Sequence, residues 1–99
     1  MPFQEHPLTS GSVYGFPLHI TWHARWTTAP IEEVVAHYRA SLGVEPAVAP
    51  GEYTFRLPAD KPRDVVTVCR PDTPGPHRNG TPIPPEAQTI VVHSTAAGG

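Results

Sequence analysis

The sequence predicts an α+β domain in the order β-α-β-β-β, a four-stranded antiparallel or mixed sheet with one amphipathic helix packed on one face. Three observations carry this. Residues 18–27, LHITWHARWT, alternate between two kinds of side chain, residues 31–42 repeat at helical spacing, and three further short runs rich in β-branched and aromatic residues follow, separated by prolines and glycines. A chain of 99 residues has room for a single core and little more.

Residues 1–12 contain Pro2, Pro7 and a Thr-Ser-Gly-Ser run with little apolar content, so they are expected to form a flexible arm. The domain proper is expected over 13–95, with a disordered tail over 96–99. In the first strand Ile20, Trp22, Ala24 and Trp26 fall on one side and His19, Thr21, His23, Arg25 and Thr27 on the other. The helix follows, with Thr28 or Ala29 expected at its cap and Pro30 set for the first turn. Glu32 and Glu33 lie where the helix dipole favours negative charge. Ile31, Val34, Val35, Tyr38 and Leu42 make one stripe, and Gly43 supplies the stop.

Beyond a short Pro-Ala linker, EYTFRL (52–57) alternates Tyr53, Phe55 and Leu57 with Glu52, Thr54 and Arg56, and Pro58 ends it. DVVTVCR (64–70) alternates Val66 and Val68 with Val65, Thr67 and Cys69, without showing which set points inward. Residues 71–87 hold six of the 14 prolines and are expected to be a loop. TIVVHS (89–94) is the last strand. The expected core joins Ile20, Trp22, Trp26, Ile31, Val34, Val35, Tyr38, Leu42, Tyr53, Phe55, Leu57, Val66, Val68, Ile90 and Val92.

The stretch TTAPIEEVVAHYRASLG, followed by YTFRLP and a short valine-rich strand before a Pro-rich loop, resembles small bacterial domains of uncharacterised function. In those domains a helix of the form E-E-V-x-x-x-Y-R-x-x-L follows the first strand. The resemblance spans roughly residues 20–94 and implies the same β-α-β-β-β fold; some of those domains belong to exported or lipid-anchored proteins. It implies no catalytic or binding residue.

Seven basic residues against nine acidic give a formal charge of −2 with the six histidines neutral, which argues against a nucleic-acid binder. Protonating every histidine would bring the total to +4, so the sign of the surface is a function of pH. A lone cysteine excludes an internal disulfide and any multi-cysteine zinc motif. No signal peptide and no apolar run near the ~20 residues of a membrane span is visible, so a soluble, by default cytoplasmic, chain is expected.

The expected functional surface is the sheet face turned away from the helix. If Trp22, Trp26, Tyr53 and Phe55 face the helix, then His19, Thr21, His23, Arg25, Thr54, Arg56, Thr67, Cys69 and His93 share the open side, with Glu52 as its one carboxylate. Such a face suits an anionic small ligand or a protein partner. His77 and Arg78, at the tip of the Pro-rich loop, form a second contact surface. A non-catalytic binding or interaction module is therefore the favoured function, with an edge-strand homodimer among its forms.

The alternative is a small metal protein or hydrolase-like enzyme built on sheet-face histidines and Cys69. His19 and His23, four apart on a strand rising ~3.3 Å per residue, are too distant to share an ion, so a metal site would combine His23, His93 and Cys69 across strands. No nucleophile elbow, phosphate-binding glycine loop or H-E-x-x-H motif is present, and no cofactor is indicated.

Overall fold

A computed structural model describes residues 3–15, 18–57, 64–73 and 82–98. The elements are β1 (His6–Gly15), β2 (Leu18–Thr27), α1 (Ile31–Leu42), β3 (Ala47–Ala49), β4 (Glu52–Arg56), β5 (Asp64–Cys69) and β6 (Thr89–Gly98). The fold is α+β, as the patterning predicts, but the sheet has six strands rather than four, in the order β1-β2-β6-β5-β4-β3 with every neighbouring pair antiparallel. No helix among the described residues is long and apolar enough to cross a membrane.

The two additional strands are the two edges. β1 occupies much of the segment expected to be an arm, and it pairs with β2 along nearly its full length. Its composition conceals it, because an edge strand with one paired side needs no continuous apolar alternation. β3 is three exposed residues. At the other end, β6 continues to Gly98 opposite Leu18, where a tail is expected.

In α1 the cap is Pro30 rather than Thr28 or Ala29, and no side chain among the described residues caps the helix; Pro30 accepts backbone hydrogen bonds from Glu33 and Val34 through its carbonyl. Gly43 stops the helix as predicted, adopting a left-handed φ of 70° while its N–H donates to the Arg39 carbonyl. The turn into α1 is held by two buried threonines that are register partners, Thr27 and Thr89. Thr27 Oγ1 accepts from the Ala29 N–H at 3.2 Å, and Thr89 Oγ1 donates to the Ala29 carbonyl at 2.7 Å.

From β2 the chain crosses through α1 to the far edge of the sheet, then returns strand by strand to place β6 beside β2. The helix packs over β4 and β5. There Ile31, Val34 and Val35 meet Phe55, Val66, Val68 and Val91, with Tyr38, Leu42, Tyr53 and Leu57 at the margin. The stripe is thus filled by β4, β5 and one residue of β6. Trp22 and Trp26, expected beneath the helix, lie instead on the opposite face, against Ala24, Cys69, Ile90 and Val92. Ile20, also expected in the core, is 38% exposed.

The reason is register. Val91 and Val68 pair directly and share the helix face; Arg25 pairs with Val91, so the side of β2 carrying Arg25 takes that face too. The tryptophans are left to cover the second face, together with Leu8 from β1 and Ile83 from the end of the Pro-rich connection. Burial on both sides of the sheet is what lets a single helix suffice.

Candidate functional site

The same register divides the expected functional surface. His19, Thr21, His23 and Arg25 of β2 and His93 of β6 belong to the helix face, beyond the footprint of α1, with His23 and His93 directly opposite one another. Thr54, Arg56, Thr67 and Cys69 belong to the other face. Two sets expected together are therefore separated by the thickness of the sheet. Glu52, the single expected carboxylate, also leaves the His/Arg side, being the register partner of Cys69. His77 and Arg78 of the loop lie outside the described residues.

The metal set fails for the same reason. His23 and His93 share a face, but Cys69 pairs with Ile90 and points away from them. Among the described residues no group of three His, Cys, Asp or Glu side chains is placed to hold a metal ion. Burial, and to a lesser degree the charges of Glu52 and Asp72, push the Cys69 thiol up to about 12, so at neutral pH it carries its proton and is a poor nucleophile or ligand.

What the fold builds instead is a concave region where α1 overhangs the bare part of the sheet. One cavity of about 260 Å³ lies between the C-terminal half of the helix and β2, β5 and β6. His23, Arg25, Asp64 and His93 supply its polar groups, Tyr38 and Leu42 its helical wall. A second cavity of about 640 Å³ shares Arg25 and Tyr38 with the first and is completed by His37 of α1, by Phe3 and Glu5 from the chain leading into β1, and by His6 at the start of that strand.

Glu5 is the residue at the junction. A bulge at Leu8 shifts the β1 register between Pro7 and Thr9, so that residues before it take the opposite phase from those after it. This turns Glu5 toward the helix while Gly11 goes to the tryptophan side, under the ring of Trp22. The Glu5 side chain is 5% exposed; its Oε2 accepts a hydrogen bond from the Tyr38 hydroxyl, and its Oε1 sits 3.7 Å from Arg25 Nη1. That separation is an ion pair beyond hydrogen-bond reach, and among the described residues Oε1 has no hydrogen-bond partner. Burial first, then the bond to Glu5, raise the Tyr38 phenol well above its ordinary value, so Tyr38 remains a donor throughout the physiological range.

The histidines have distinct settings. His19 stacks on Tyr14 of β1, with ring centroids 4.0 Å apart, and its Nε2 is buried with no hydrogen-bond partner among the described residues. His37 of α1 meets Phe3 and Tyr38 edge-on at 5.2 and 5.1 Å. His23 and His93 are exposed at the mouth of the smaller cavity.

Sequence patterning misses Glu5, Tyr38 and Asp64 as site residues. Tyr38 satisfies the helix stripe and reads as core, although its hydroxyl needs a partner when buried. Glu5 and Asp64 carry no local signal, because their approach depends on the bulge and on the pairing of β5 with β6. No protein-family model, curated protein or solved structure matches this chain.

Proposed function

We propose that this chain is a non-catalytic binding module that holds a small polar ligand between α1 and the bare strands β2 and β6, receiving an acidic group of that ligand on Arg25, His23 and His93. The observation that carries this is the convergence of those three side chains on one concave site walled by Tyr38 and Leu42. Asp64 and Glu5 stand in the same region, so the site is mixed in charge rather than uniformly cationic. This favours a small ligand with several polar groups over a polyanion.

Sodium acetate serves as the probe of the acid subsite. Titrated into the 15N-labelled chain, it should move the amide resonances of 23–25 and 91–93, with the shifts suppressed by added neutral salt and reduced at least about tenfold in affinity by Arg25→Ala, the loss expected for one charge-assisted contact. Shifts that persist in Arg25→Ala, or that appear only on the tryptophan face, would remove the assignment.

A second reading, protein association through an edge strand, is favoured by one observation. β1 is ten residues long and stands at the end of the sheet, its outer side unpaired among the described residues. Its partner in that reading is a second copy of this chain.

A further inference from the structure

Glu5 presents a buried carboxylate with one oxygen satisfied and the other not. Oε2 has the Tyr38 hydroxyl; among the described residues Oε1 faces no donor, because Arg25 at 3.7 Å contributes charge without a hydrogen bond. Leaving a buried acceptor unpaired is destabilising, and more so when it is charged, so native proteins rarely retain one without a use. Here the residue lines a cavity of about 640 Å³, within the size range of small-molecule sites.

We propose that this cavity binds the ammonium group of a small α-amino acid on Glu5 Oε1, with the amino acid's carboxylate on Arg25. The proposal rests on the acid-group reading for its Arg25 half, whereas the ammonium half stands on Glu5 itself. Three features select a cation over a neutral donor. The acceptor is an acidic side chain only 5% exposed, and a charge-assisted hydrogen bond is about twice as strong as a neutral one. The walls include the rings of Phe3, His37 and Tyr38, whose arrangement offers aromatic surface to an ammonium. Among the described residues the other ionisable neighbours lining the cavity are His6, Arg25, His37 and Tyr38, of which Arg25 alone is a fixed positive charge.

Arg25 also sets the class of ligand. It is 54% exposed in its side chain and stands between the two cavities, free on its outer side to take a carboxylate. A ligand for both groups must bring a positive and a negative charge within a few ångströms of one another. An α-amino acid does so on a single carbon, and the remaining volume accommodates its side chain beside Phe3 and His37.

Calorimetric titration of the full chain with L-leucine, ethylammonium chloride and sodium acetate tests this, in the wild type and in Glu5→Gln and Arg25→Gln. L-leucine should bind more tightly than either fragment. Glu5→Gln should weaken L-leucine and ethylammonium by about 10- to 100-fold and leave acetate unchanged, while Arg25→Gln weakens L-leucine and acetate and spares ethylammonium. Thermal melts check that each variant folds, and Arg25→Gln, at an exposed position, keeps the test open if Glu5→Gln does not fold. Acetate binding with no gain for L-leucine and no effect of Glu5→Gln would overturn the amino-acid assignment and leave the acid-group reading standing. Ethylammonium binding without acetate binding would remove the acid-group reading and the amino-acid assignment with it. Absence of binding by all three probes would overturn both.

Discussion

Cys69 shows how one side chain's setting decides its chemistry. It is 2% exposed, packed with Ala24, Ile90 and Val92, and its thiol is pushed up from about 9 to about 12 by burial and then by Glu52 and Asp72. A shift of three pH units cuts the thiolate fraction at pH 8 by roughly a thousandfold. Iodoacetamide should therefore label the native chain about that much more slowly than the urea-unfolded chain, and comparable rates would contradict the burial. The stability consequence has a definite sign. Between about 9 and 12 the native thiol keeps its proton while the unfolded thiol loses it, so the unfolded state binds fewer protons and stability falls as pH rises through that window. Tyr38, raised in the same direction, adds to the fall at its upper end. Urea midpoints between pH 8 and pH 11 should decline, and Cys69→Ala should flatten the early part of that decline.

At the scale of elements, the clearest part of the fold is a short polar clasp that hydrophobic patterning does not register. Thr27 and Thr89 are both fully buried and satisfy the N–H and carbonyl of Ala29 where β2 gives way to α1. Thr89→Val preserves shape and β-propensity but leaves the Ala29 carbonyl without its donor, a loss of about 1–3 kcal/mol. A lowered urea midpoint at unchanged m-value would show it; Thr95→Val, at an exposed position on the same strand, should stay within about 0.5 kcal/mol. An equal response from the two variants would mean that the clasp contributes nothing. How far such features can be read from sequence depends on whether their cause is local. α1 is legible because its stripe, acidic first turn and Gly43 all act within a few residues. The alternation of β2 is legible too, but not its phase, since a strand that carries tryptophans on one side and histidines on the other can bury either. Phase is settled two strands away, by Val91 and Val68, and the placement of Arg25 and His23 beside the helix follows from that pairing. Glu5 is harder still, because its orientation depends on a one-residue bulge within a segment of weak patterning.

At the scale of the molecule, the sheet has unequal edges. β3 ends one side with three residues, whereas β1 ends the other with ten, of which Leu8 to Gly15 contain no charge and no proline. Natural edges are guarded by lysines, prolines, bulges or brevity. β1 has its proline and its bulge at one end, at Pro7 and Leu8, which leaves the stretch from Thr9 onward regular and open. Val13 is 59% and Tyr14 80% exposed on that stretch. Antiparallel pairing of β1 with its symmetry mate needs only the self-complementarity of one segment about a two-fold axis, and it would extend the sheet without covering the cavities on the helix face. Light scattering coupled to gel filtration should then report twice the 10.7 kDa of one chain at about 100 μM. Ser12→Lys combined with Val13→Lys places four positive charges in the paired segment and should return the mass to one chain, with little change in melting temperature because both positions are exposed. A wild-type chain that stays monomeric at this concentration, or a dimer indifferent to the two lysines, would rule out β1 as the contact.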